Sequence, residues 1–311
     1  MTFSGTSLLT GWGEGLHCLP TNAYTAAAGR RILSLPTPQF VDDRLRRATR
    51  ECLLAITAVE QALLHSPLSA ADLAGQRTAL VYASASSYVA ANWLFLHADP
   101  SSAMYFPYTA PSAVPGEVSM YFNITGPYLS FLSGANAGLE ALWQAAILLN
   151  TDQCDRALIL GVETFIECEE LYTRGRRLLS MPLVETAVCL LLERHPSLAA
   201  MKYTAGNTPA DNQANELITP EMLATLRITP ATTAITLCGP TIRHERQMAE
   251  QVRQYWPSGS VPALTVVNTR TGTCLAATPL IGLLLALAEA QHEQILCISR
   301  WGEAWSMLSW S

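Results

Sequence analysis

A layered α/β fold built from two similar halves is what this sequence predicts, and three observations predict it. The first is a strand, turn and helix in succession: a β-rich run over 128–133, small residues over 133–138, and apolar residues at helical spacing over 139–150. The second is an internal repeat, because a strand at 157–162 begins 22 residues after Ala135 and another at 295–299 begins 22 residues after Thr273. The third is the alternation of strands with helices in both halves, with 78–82 and 233–237 as a further candidate pair. That alternation argues for parallel-rich sheets sandwiched by helices.

Taken in order, residues 8–12 read as the first strand. Gly11, Gly13 and Gly15 follow, but their spacing is wrong for Gly-x-Gly-x-x-Gly, and no phosphate loop appears elsewhere, so no bound cofactor is expected. The run 77–84 reads as a strand, and Tyr88, Trp93 and Phe95 follow it. The apolar run 274–288 reads as a buried helix; at 15 residues, with Pro279 inside, it is too short and interrupted to span a membrane.

A strand, tight turn and helix lift one side chain to the carboxyl end of the strand and aim a helix N-terminus at it, which lowers a thiol's pKa and stabilises an oxyanion. Here Gly126-Pro127 precedes the strand and Gly138-Leu139 closes the turn. The stretch resembles the β-ketoacyl synthases of fatty-acid and polyketide synthesis, members of the thiolase-like superfamily. In that family the turn carries the acyl-accepting Cys, and counting from either flank puts that Cys at Ala135. Alanine cannot form a thioester. Residues 111–119 and 77–84 resemble further family segments, so the likeness covers most of the first two-thirds of the chain. It implies a thiolase-like αβαβα layered fold with two pseudo-symmetric halves, 1–196 with the vestigial elbow and a shortened 197–311.

The resemblance also locates two family histidines. The Gly-His turn reads Gly272-Thr273 here, and the His-Gly-Thr-Gly-Thr loop finds its best counterpart from Cys238 to Thr241, so both histidine positions are vestigial. Trp301 falls on the Phe position of the family's gating loop. Neither acyl transfer nor decarboxylation has its usual donors, so no catalytic residue is assigned. The resemblance therefore implies the noncatalytic partner of a heterodimeric ketosynthase, a chain-length factor or β subunit that shapes the acyl tunnel of a Cys-containing subunit. The alternative is a thiolase-fold acyltransferase or condensing enzyme with an unorthodox site, which would have to use Asn136, Thr273, Cys238 and Glu185. Compact size and absent histidines look most like polyene systems such as aryl polyene synthesis; aromatic polyketide factors often carry Gln where Ala135 stands.

For such a subunit Tyr88, Trp93 and Phe95 are the tunnel candidates, with Tyr105, Phe106 and Tyr108 second, against an even alternative of ordinary helix core. Tyr128, Leu129, Ser130, Phe131, Leu132 and Ser133 are expected at the subunit interface, because in this superfamily that strand pairs with its mate across the dimer axis. The acyl carrier protein is an indirect partner. Arg174, Arg176 and Arg177 could receive it, whereas Arg44, Arg46, Arg47 and Arg50 read as a solvated face paired with Asp42, Asp43 and Glu51.

Composition sets outer limits. Half the residues are hydrophobic and 14% charged, with mean hydropathy +0.20, which leaves few charges to solvate a monomer and implies an oligomer. A net charge of −6 gives no footprint for nucleic acid. Eight cysteines lack motif spacing, several sit in apolar runs, and no basic start opens the chain, so reduced thiols and a cytoplasmic location without a signal peptide are expected. Cys274 as a relocated nucleophile is disfavoured, since no basic neighbour is visible. Six histidines are scattered without ligand spacing, so no metal is expected.

Overall fold

Strands with unbroken apolar runs must be covered on both faces, and this dictates layers. The computed structural model describes residues 3–86, 88–97, 100–174, 181–195, 200–207, 218, 233–256, 262–289 and 294–310. Its strands are β1 (Gly5–Thr10), β2 (Gly13–Glu14), β3 (Ile32–Leu33), β4 (Thr78–Ala83), β5 (Tyr128–Phe131), β6 (Arg156–Glu163), β7 (Leu183–Val184) and β8 (Thr186–Glu193), then β9 (Lys202–Asn207), β10 (Thr233–Cys238), β11 (Ala263–Val266), β12 (Gln294–Trp301) and β13 (Ala304–Trp310). The first sheet runs β2-β1-β8-β6-β4-β5 and the second β11-β10-β12-β13-β9, while β3 and β7 form a short parallel pair.

The repeat is real at the level of topology. In β5-β4-β6-β8-β1 and β11-β10-β12-β13-β9 alike, three parallel strands are followed by two antiparallel neighbours. The sequence pairs 78–82 with 233–237 and 157–162 with 295–299 occupy equivalent strands. The shared spacing of 22, however, does not mark equivalent turns. The elbow's 3₁₀ turn is Gly134–Asn136 and its mate is Leu275–Ala277, which lie 23 and 20 residues before Ala157 and Ile295. The following helix is 14 residues in the first half and 11 in the second, which accounts for the difference.

Among the described residues, the longer α-helices that build the remaining layers are α1 (Arg50–Leu64), α2 (Val89–His97), α3 (Ala113–Phe122), α4 (Ala137–Asn150), α5 (Ile242–Tyr255) and α6 (Thr278–Ala288). α4 and α6 are almost wholly apolar and form the layer between the sheets. Strand alternation distributes the core: Ala79, Val81, Ala157 and Ile159 face the central helices, whereas Leu80, Tyr82, Leu158 and Leu160 face α1 and α3. In the second sheet Ile235, Leu237, Leu296 and Ile298 meet Met248, Ala249 and Val252 of α5. Gly138 lets the halves close, because a Cβ there would lie 2.5 Å from the Ala276 carbonyl oxygen.

Boundaries differ from the sequence reading in small ways. The first strand is Gly5–Thr10 rather than 8–12, since Gly11 must pass against the Leu33 carbonyl, 2.2 Å from where a Cβ would sit. β5 stops at Phe131, so Leu132 and Ser133 lie beyond it, and α4 starts at Ala137 because the 3₁₀ turn already winds the chain. Cys274 precedes the turn into α6 and is not its first helical residue. The expected boundary between 196 and 197 falls outside the described residues.

Candidate functional site

At the elbow the chain leaves β5 and turns through Gly134, whose φ of +64° few side chains tolerate. A Cβ on Gly134 would also lie 2.6 Å from the Trp301 ring. Ala135 is buried, and its carbonyl accepts a hydrogen bond from Ser299 Oγ at 2.9 Å. Ser306 Oγ donates to Asn136 Oδ1 at 3.3 Å. The β12–β13 hairpin of the second half therefore clamps the elbow. Trp301 ends β12 opposite Ala304 and covers Gly134 while leaving 38% of its own surface exposed. The segment expected as a gating loop is this tight hairpin.

The second-half turn is equally tied down. Thr273 N–H donates to the Pro182 carbonyl at 2.8 Å, and Val184 N–H donates to the Thr273 carbonyl at 3.0 Å. Leu275 sits at φ +45°, costly for a residue with a Cβ, and Ala276 N–H just after it donates to Glu163 Oε1 at 3.1 Å. The two turns abut. Burial pushes the Cys274 thiol up to about 12 and the Cys238 thiol well above its ordinary value, so neither is a thiolate at neutral pH. The expectation that Cys274 is a core residue holds.

A buried acid network lies at the carboxyl ends of β4 and β6, and the sequence reading missed it. Glu163 accepts backbone N–H bonds from Ala85 at 2.8 Å and Ser86 at 3.0 Å in addition to Ala276, and hydroxyl bonds from Ser86 and Ser84. Burial raises its pKa and these donors offset part of the rise, leaving it near 7. Burial also raises Glu51 well above its ordinary value, although Thr164 Oγ1 donates to it at 2.8 Å. Burial works against ionised Glu185, but Arg50 at 2.6 Å and the amides of Phe165 and Ile166 prevail, so its pKa lies below the ordinary value. Arg50 spans Glu167 and Glu185. This corrects the sequence reading of Arg50 and Glu51 as part of a solvated face: both turn inward, while Arg44 pairs with Asp42 at the surface as expected. Glu245 plays a similar part in the second half, accepting from Gly239 and Asn268 amides at 3.0 Å each. The sequence signal was faint: Glu163 follows the apolar run 157–162 and reads as an ordinary strand end.

The remaining candidates include an outer helix and the strand that leads into the elbow. Within α2 only Ala90 and Ala91 are buried, so Tyr88, Trp93 and Phe95 are not helix core. Tyr88 and Phe95, seven residues apart, share a face; Trp93 stacks on His97 with centroids 3.9 Å apart, and Phe95 meets Phe106 at 5.7 Å. Tyr108 donates to Glu117 at 2.9 Å. β5 is an edge strand paired only with β4, leaving Tyr128 and Ser130 exposed, Leu129 and Phe131 half-buried, and Leu132 exposed just beyond. Arg174 pairs with Glu170, whereas Arg176 and Arg177 lie outside the described residues. Among the described residues no His, Cys, Asp or Glu cluster could hold a metal, and no helix is long and apolar enough to cross a membrane.

The family model for the β-ketoacyl synthase N-terminal domain matches residues 35–182. No curated protein matches the chain. Among solved structures, AntDE with AntF, described as a type II polyketide synthase acyl-carrier protein in complex with its ketosynthase bound to the hexaketide, aligns with TM-score 0.75 and 16% identity over 99% of this chain and 98% of that one. The ishigamide ketosynthase/chain length factor aligns with TM-score 0.70 and 16% identity over 99% and 98%. The oxazolomycin ketosynthase domain of Streptomyces albus JA3453 gives TM-score 0.65 and 15% identity over 99% and 94%. The fold is thus thiolase-like and of the ketosynthase kind.

Proposed function

We propose that this ketosynthase-like protein of thiolase-like fold is the noncatalytic chain-length factor subunit of a heterodimeric β-ketoacyl-carrier-protein synthase. It acts in type II polyketide, polyene or fatty-acid-like biosynthesis, with aryl polyene synthesis the favoured pathway. The observation that carries the reading is the elbow: the nucleophile position holds buried Ala135, pinned by Ser299 and neighboured by Trp301 over Gly134. Supporting it, the sequence resemblance sets Thr273 and Cys238 against the family's histidines, and the structural relatives include a ketosynthase/chain length factor.

In this reading the open edge of β5 meets the Cys-containing ketosynthase, and Tyr88, Trp93 and Phe95 face that subunit's acyl tunnel. The carrier protein docks mainly on the partner. The eight free thiols accord with a reducing cytoplasm. The alternative, an unorthodox condensing enzyme, finds little to work with: Asn136 and Glu185 are already hydrogen-bonded, the Thr273 backbone is fixed on both sides, and Cys238 is a buried thiol. The test is Ala135→Cys assayed alone with malonyl carrier protein. No condensation is expected, since a general base is missing as well; turnover by that variant alone would overturn the reading.

A further inference from the structure

We infer that the cavity between the short helix Ala23–Ala27 and residues 181–183 binds an apolar chain ended by an anionic group. Its volume of about 550 Å³ falls in the range of small-molecule sites. Tyr24, Ile32, Tyr172, Met181 and Leu183 supply apolar wall, and Arg30 and Arg31 line the same space. A smaller adjoining cavity of about 240 Å³ shares Tyr24 and Met181 and adds Arg246. Among the described residues no aspartate or glutamate lines either one. Three arginines without an acid run against a chain that carries 25 acidic and 19 basic residues.

The cations are available. Arg31 and Arg246 have no ion-pair partner among the described residues, and Arg30 spends its Nε on the Ala27 carbonyl at 3.1 Å. A guanidinium bonds a carboxylate or phosphate monoester through charge-assisted, often paired, hydrogen bonds, which fixes the head of the ligand. The apolar wall is built in advance. Ile32 pairs with Leu183 in the β3–β7 ladder, Tyr172 meets Phe165 edge-on at 5.0 Å, and Leu183 packs with buried Phe165 and Leu275. The site uses none of the residues assigned above to the tunnel or to the β5 edge, so it is a second place where this chain could hold an acyl-type ligand.

Titration of the full chain with octanoate, octyl phosphate and octanol, followed by calorimetry, tests the inference. At least one of the two anions is expected to bind saturably at one per chain and about tenfold or more tighter than octanol. The double variant Arg31→Ala/Arg246→Ala is expected to lose that advantage while leaving octanol unchanged, and Thr173→Trp, which fills the cavity from its wall, to abolish all binding with an unaltered circular dichroism spectrum. Tighter octanoate identifies a carboxylate ligand and tighter octyl phosphate a phosphate ester. Failure of both anions to saturate, or binding indifferent to Thr173→Trp, overturns it.

Discussion

Glu163 reaches across the joint between the halves to the Ala276 amide, and its chemistry makes a definite pH signature. Its pKa of about 7 in the folded chain lies above the ordinary 4.5, so the folded state holds the proton more tightly than the unfolded state. The stabilisation from that proton is complete below pH 4.5 and is lost as pH rises through 7, a change of about 3 kcal/mol. Glu185 acts in the opposite sense: its lowered pKa adds stability above its ordinary value that is lost at acid pH. Glu163→Gln should therefore make the fall in stability between pH 4.5 and 7 shallower by about 3 kcal/mol, leaving the part that Glu51 and Glu245 contribute in the same sense and the acid limb intact, as read by urea unfolding at a series of pH values. A second residue-scale prediction concerns Gly134. Gly134→Ala adds a Cβ at positive φ and 2.6 Å from the Trp301 ring, and should cost about 2–3 kcal/mol, of which Trp301→Ala restores about 1 in a double-mutant cycle. At this scale the tight turn around Ala135 was legible, because small residues between a β-rich run and a helical pattern are a local signal. The role of Glu163 was not, since its partners Ser84, Ser86 and Ala276 are some 80 and 110 residues away in sequence.

Among the elements, β5 lies at an open sheet edge. An edge strand presents unpaired backbone groups, and this one also exposes Tyr128, at 52%, with Leu132 beside it. Tyr128→Lys with Leu132→Lys should change the unfolding free energy of the chain by less than about 0.5 kcal/mol while weakening association with its partner at least tenfold, measured by analytical ultracentrifugation. Loss of fold stability with association intact would place the strand in the core instead. The strand, turn and helix of the elbow were readable from local composition, because small residues and helical periodicity are local signals. α2 was not readable in the same way. Apart from Asn92 and His97 its residues are apolar, so periodicity could not tell that only Ala90 and Ala91 are buried.

Across the whole molecule the two halves share one strand order, and the layers follow from sheets that are apolar on both faces. The repeat was legible in the strands, which must keep register with their neighbours. The turns between them drifted by three residues, because a helix can lose most of one turn without disturbing the sheets it covers. At the joint between the halves Ser299, Ser306 and Trp301 from one half meet Gly134, Ala135 and Asn136 from the other. In the reading proposed above, such a joint would leave the chain to supply shape and an interface to a catalytic partner. The most direct measurement is co-expression with a Cys-containing ketosynthase from the same pathway, followed by native mass spectrometry and a malonyl-carrier elongation assay on each subunit and on the mixture. Elongation by the one-to-one complex alone is the predicted result; a homodimer of this chain that elongates without the partner would contradict it.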